Sequence, residues 1–136
     1  MRSVLRLFFV ALLAASALGK LLDMPGFYAI VGSYQALPEE WTPFAAWALT
    51  LVELALALWL LSEKSLRRAA LATCAIHAFY FVWLSVTLLR GLDLPNCGCF
   101  GVYWARPLRW HTPLEDLVLF VLAFLLLRRT ADRENS

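Results

Sequence analysis

The sequence predicts an all-α membrane protein: a four transmembrane helix antiparallel bundle with both termini inside and a short interfacial helix in its first outer loop. Three observations predict it. Hydrophobic residues make up 62% of the 136-residue chain and charged residues 16%, against about half and about a quarter in soluble domains. Four apolar stretches, 4–22, 43–62, 68–89 and 113–127, approach the roughly 20 residues that a helix needs to cross a bilayer. Lys and Arg are distributed unevenly between the connections: with the N-terminus inside, Arg2, Arg6, Lys64, Arg67, Arg68, Arg128, Arg129 and Arg133 are cytoplasmic, and only Lys20, Arg90, Arg106 and Arg109 lie outside. The length fits one domain, 1–136. The formal charge of +2, with no basic patch interleaved with aromatics, excludes a nucleic-acid partner and leaves the lipid bilayer as the first one.

The first span opens on Met1-Arg2-Ser3-Val4-Leu5-Arg6 and holds Ala14-Ala15-Ser16-Ala17, so it also resembles a secretory signal with a small-residue cleavage site. The apolar run continues to Leu22, and cleavage would leave an odd number of spans; a retained helix is expected. In the connection 23–41, Pro25 suits a first helical turn. Phe27, Ile30, Val31 and Tyr34 fall on one face of a short helix, which is expected over 25–36, lying in the outer interface or capping the bundle and ending before Pro38. The charged turn 63–67 makes spans two and three antiparallel neighbours. Thr112-Pro113-Leu114-Glu115 reads as a capping box that starts the fourth span, with Glu115 as its reciprocal acceptor. That span is short and needs little tilt or help from its flanks.

Ionisable groups inside spans are costly and are usually functional or paired. Lys20, near the outer end of span one, can snorkel to the headgroups. Glu53 and His77 both fall about 13–14 Å above the cytoplasmic face at 1.5 Å per residue. A Glu53–His77 hydrogen bond clamping two antiparallel helices is therefore expected, with a proton or quinone site as the sharper alternative. Cys74 lies roughly 24 Å along its helix from Arg90; it is expected to be a buried small hydrophobe, out of reach of the other two cysteines.

Those two, Cys97 and Cys99, stand one residue apart in Asn96-Cys97-Gly98-Cys99-Phe100-Gly101, in the outer connection 90–112. The pair can be a dithiol/disulfide couple, half of a soft-metal site, or two small residues in a turn. Gly98 allows the bend that a bond between residues i and i+2 requires, and an outer location favours disulfide chemistry. Arg90 and Arg106 nearby would favour the thiolate. Two thiolates are too few for a closed metal site without a further ligand such as His111; no metal is expected.

The chain resembles the MauE group of membrane proteins, named for methylamine utilisation, within the wider DoxX-like superfamily. The resemblance rests on Gly19-Lys20-Leu21-Leu22-Asp23 with Phe27, Tyr34 and Pro38, on the single Glu53 of span two, and most specifically on Arg90-Gly91-Leu92-Asp93 leading into Cys97-Gly98-Cys99-Phe100-Gly101. Pro95-Asn96 and Glu115-Asp116 depart from the expected pattern. The resemblance implies four helices in the bacterial inner membrane with the Cys-Gly-Cys loop on the periplasmic side. It implies a role beside a thioredoxin-like periplasmic protein in maturing a disulfide-containing secreted protein, the family's case being the small subunit of methylamine dehydrogenase. Cys97 and Cys99 would be the redox pair, set in the Gly98, Phe100 and Gly101 motif. A quinone-linked membrane oxidoreductase, with Glu53 and His77 handling protons, and a structural subunit without chemistry are the alternatives. No cofactor beyond a possible quinone is implied.

Overall fold

The computed structural model describes residues 2–135. Five α-helices, and no strand, are present among them: α1 (Arg2–Leu21), α2 (Met24–Ser33), α3 (Thr42–Trp59), α4 (Leu66–Leu89) and α5 (Thr112–Asn135), with a 3-10 turn, Glu39–Trp41, leading into α3. Helices α1, α4 and the continuous Glu39–Trp59 segment are long and apolar enough to cross a membrane. The fourth predicted span is not among these: α5 is a 24-residue helix, but its uninterrupted apolar run is 117–127, enclosed between Glu115-Asp116 and Arg128-Arg129.

Helix α5 packs along α4, α3 along α1, and α2 lies against α3. At one end Arg6 donates to Glu63 at 2.8 Å, joining the start of α1 to the α3–α4 turn. The interior next to that end is apolar: Phe9, Leu13, Leu60, Leu66, Ala69, Ala70 and Leu126 are all at or below 2% exposure, and Cys74 is buried among them.

The other end is built differently. Asp23 caps α2 by accepting from the Gly26 N–H at 3.0 Å, with Pro25 in the first turn. The expected face of this helix is the buried one, Phe27 and Tyr34 being 3% and 6% exposed. The helix ends at Ser33 rather than Ala36 because Gln35 turns left-handed, φ 54°. Arg90 then donates to the carbonyls of Tyr34 (2.7 Å) and Gln35 (3.0 Å), which ties the end of α4 to the end of α2. The α4–α5 connection folds back on itself through Cys97 N–H to Arg106 O (2.8 Å) and Leu108 N–H to Leu94 O (2.9 Å). It packs Leu94, Cys97 and Leu108 against Tyr34 and Leu84.

The capping box at Thr112 does not form. Thr112 Oγ1 accepts from the Arg109 N–H at 3.0 Å, and the Glu115 carboxylate accepts from Arg106 at 2.6 Å. A bidentate-capable guanidinium is a stronger partner than a backbone amide.

Candidate functional site

The Cys-Gly-Cys turn is organised by Asn96. Its Oδ1 accepts from the Gly98 N–H at 2.9 Å and its Nδ2 donates to the Gly101 carbonyl at 3.1 Å, a side chain substituting for backbone in closing a turn. The turn then lies backbone to backbone on α1. A Cβ on Gly101 would stand 2.2 Å from the Gly19 carbonyl oxygen, and one on Gly19 would stand 2.1 Å from that of Phe100. Gly101 also holds φ +79°, a region that L side chains rarely adopt. The motif glycines are therefore there for contact as well as for bending.

This docking puts the thiols under the loop instead of outside it. Cys97 is 5% exposed and Cys99 half-buried, so within its connection the pair is turned toward the helices. The two sulfurs are 3.2 Å apart and unbonded. The hydrogen bond from the Cys99 thiol, then that from the Cys99 backbone N–H and, more weakly, the Arg106 charge together outweigh burial and lower the Cys97 thiol from 9.0 to about 7. The same pairing, reinforced by burial, pushes Cys99 well above its ordinary value. One sulfur is thus poised as thiolate while the other keeps its proton. Arg90, expected beside the thiols, is occupied with the α2 carbonyls.

Two further side chains hold the turn by its carbonyls. The Tyr34 hydroxyl donates to the Cys97 carbonyl; burial first, then the nearby thiols, pushes this phenol above its ordinary range, so it stays a donor. The Ser16 hydroxyl reaches the Cys99 carbonyl across 83 residues of sequence and shares its proton with Glu53 Oε2 at 2.8 Å.

Glu53 is the centre of a buried network. Lys20 Nζ donates to its Oε2 at 2.6 Å and to Ser16 at 3.2 Å, and the Tyr80 hydroxyl donates to its Oε1. Lys20 does not snorkel; it is 3% exposed and Glu53 1%. The expected Glu53–His77 bond is absent. His77 Nδ1 instead meets Asp116 Oδ1 at 3.3 Å, because the ring points toward α5 rather than α3. The sequence does not mark Ser16, Tyr80, Asp116, Tyr34 or Asn96 as site residues, although Tyr34, Asn96 and Asp116 belong to stretches singled out for other reasons. Two carried a signal: Ser16 lies four residues before Lys20 on one helix face, and Asn96 stands two before a glycine, the spacing of a side-chain-closed turn.

Lys20, Glu53, His77, Cys97, Gly98, Cys99 and Phe100 all line one cavity of about 710 Å³. Asp116, Ser16 and Tyr80 add to its polar wall, and Leu12, Leu49, Phe79, Trp83, Leu119 and Leu122 form much of the rest. Gly101 lies outside that lining, where it holds the turn to α1. No group of three His, Cys, Asp or Glu side chains able to hold a metal ion occurs among the described residues.

The family model described as methylamine utilisation protein MauE matches residues 1–129. The chain belongs to the MauE family. Methylamine utilization protein MauE of Paracoccus denitrificans is 34% identical over 122 residues, covering 90% of this chain and 66% of that protein. Its counterpart in Paracoccus versutus is 33% identical over 119 residues, covering 88% of this chain and 64% of that protein. The chain thus spans about two thirds of the length of these MauE relatives. No solved structure matches it. MauE membership together with three helices able to cross a bilayer makes this a membrane protein.

Proposed function

We propose that this MauE-family chain is an integral membrane accessory protein in thiol–disulfide chemistry, with Cys97 and Cys99 as its redox pair. It supports maturation of a disulfide-containing secreted protein together with a thioredoxin-like partner, and its setting is methylamine utilisation, as the names of its relatives suggest. In this reading α5 is the fourth span, both termini are cytoplasmic, and the Cys-Gly-Cys loop lies on the periplasmic side of the inner membrane. The observation that carries the reading is the pair itself: two sulfurs 3.2 Å apart, one lowered to about 7. In the oxidised chain a partner thiolate attacks one sulfur, a mixed disulfide forms, and the other cysteine leaves as thiolate. A second partner thiol resolves the intermediate, so the partner gains a disulfide and this chain two thiols. A low-pKa leaving group such as Cys97 speeds that exchange.

Trapping tests it. In cells carrying Cys97→Ser or Cys99→Ser, the remaining thiol is expected to hold a mixed disulfide with a thioredoxin-like protein, and each single variant should lose as much maturation as the double. Full maturation with both cysteines replaced would instead support a purely structural subunit.

A further inference from the structure

The pair faces inward, and what it faces has the properties of a ligand site. The cavity of about 710 Å³ falls within the roughly 300–1,000 Å³ of small-molecule sites, which are mostly apolar with a few placed polar groups. Its lining includes Phe79 of α4 and Val118 of α5, which are 50% and 57% exposed on the outer surface of the helices, and Leu37 of the α2–α3 connection, 45% exposed, so the cavity opens toward the side the helices would present to lipid. One polar group in its wall has no partner. His77 is 3% exposed; its Nδ1 is taken by Asp116, and its Nε2 is buried without any hydrogen bond. A buried nitrogen left unpaired costs free energy unless something arrives to satisfy it. The ligand must therefore be lipid-soluble, carry an oxygen able to meet a ring nitrogen, and fit beside two thiols.

We propose that this cavity binds a quinone, which meets His77 Nε2 through a ring oxygen and accepts the electrons of the Cys97–Cys99 dithiol. The inference rests on the redox reading of the pair and supplies what that reading lacks, the oxidant that restores the disulfide. The step balances: two S–H bonds break and one S–S bond forms. Two electrons and two protons pass to the two quinone oxygens, which gives the hydroquinone. The disulfide so formed is the one the exchange with a partner consumes. A quinone diffuses in the bilayer that the helices cross, and its apolar ring suits a cavity walled by leucines, Phe79 and Trp83.

The full chain in nanodiscs, titrated with decyl-ubiquinone under anaerobic conditions, tests this through two separate readouts. The first is quinone binding and reduction by the dithiol form. The second is exchange of the pair with a small soluble disulfide, which needs no quinone. One quinone reduced per chain is expected, and none in Cys97→Ser/Cys99→Ser. His77→Asn keeps an amide near the Nδ1 position facing Asp116 but removes the Nε2 group, and should weaken quinone binding about tenfold, the scale of one buried hydrogen bond. His77→Gln retains an amide near the Nε2 position and should stay within about threefold of the natural chain. Ala45 lines the cavity from α3 at a half-buried position, so Ala45→Phe fills space and leaves the His77 side chain itself in place. It should block quinone reduction while exchange with the soluble disulfide continues. Exchange that proceeds while quinone neither binds nor is reduced overturns the quinone site and leaves the redox pair standing. Quinone bound normally by a chain whose thiols never exchange or oxidise overturns the redox reading itself. Equal binding by His77→Asn and the natural chain overturns the role of Nε2.

Discussion

Cys74 and the Cys97–Cys99 pair occupy two regions of one helix assembly that are held together by different means. Around Cys74 the interior is closed by apolar packing, with Phe9, Leu60, Leu66 and Leu126 almost fully buried, and the thiol has the surroundings of a small hydrophobe. Around the pair, position is set by hydrogen bonds and close backbone approach: Asn96 closes the turn, Tyr34 and Ser16 hold its carbonyls, and Gly19 and Gly101 let two backbones touch. The first region can deform by small repacking. The second cannot, because each of its contacts requires a particular donor, acceptor or missing side chain. A reactive pair is thereby held at fixed separation beneath a loop, and an inert cysteine is left where loose tolerance suffices.

The largest expected break in that contrast is at Lys20. Lys20→Met strands Glu53, which is 1% exposed, with no cation at 2.6 Å. Leaving one member of a buried ion pair alone costs about 3–5 kcal/mol. Thermal unfolding in detergent should show that loss, and Lys20→Met/Glu53→Gln should recover most of it. A loss equally large in the double variant would mean that the pair contributes packing and not charge.

Next is Gly101→Ala, at about 2–4 kcal/mol, the sum of a strained φ and a clash with backbone that has no rotamer to relax. Gly91 supplies the control: its φ is +80°, nearly that of Gly101, yet nothing lies within 4 Å of a Cβ built there. Gly91→Ala should therefore cost only the strain, about 1–2 kcal/mol. Equal losses at the two glycines would show that the docking of the turn on α1 is not needed.

The same contrast explains what could be read from the chain. Helices α1, α3 and α4 were legible because apolar runs bounded by charges leave little freedom of placement, and α2 because Asp23, Pro25 and the face of Phe27 and Tyr34 mark it locally. The cysteine pair, Lys20, Glu53 and His77 stood out as costly or reactive residues. Their partners did not. Depth along a helix follows from counting residues, so Glu53 and His77 were paired; rotation about the helix axis does not, and it turns Glu53 to Lys20 and Tyr80 and His77 to Asp116. Thr112 and Glu115 fit a cap motif that a guanidinium nearby in space, Arg106, displaced. The cavity is a property of five packed helices and a loop, and no stretch of sequence encodes its volume.

A smaller effect sharpens the chemical side of the comparison. Thiolate, not thiol, reacts with alkylating probes, so reactivity rises as pH passes the pKa. With Cys97 at about 7, its modification by a small methanethiosulfonate should reach half-maximum near neutral pH. At pH 7 its thiolate fraction should be about fifty times that of a thiol at 9.0, half against roughly one part in a hundred. Cys99→Ala removes the hydrogen bond that is the first cause of the shift, and the midpoint should climb back toward 9.0. A midpoint unmoved by that change would leave the backbone N–H of residue 99, and after it Arg106, as what holds the Cys97 thiol down.

The smallest effect is expected at Cys74, where the comparison predicts near indifference. The side chain is 5% exposed in an apolar cluster, and a lost sulfur there removes packing alone. Cys74→Ala should lower stability by about 1 kcal/mol, the ordinary size for a single substitution, and leave thiol exchange, mixed-disulfide trapping and quinone reduction unchanged. Ile76 gives a second reading in the same cluster, since Ile76→Val should cost a similar amount for a similar loss of volume. If Cys74→Ala abolished exchange, or if Cys74 were recovered in a disulfide with Cys97 or Cys99, the separation between an apolar interior and a hydrogen-bonded redox turn would be false. The packing that keeps the Cys74 sulfur among Phe9, Leu60, Leu66 and Leu126 would then have to open during the reaction cycle.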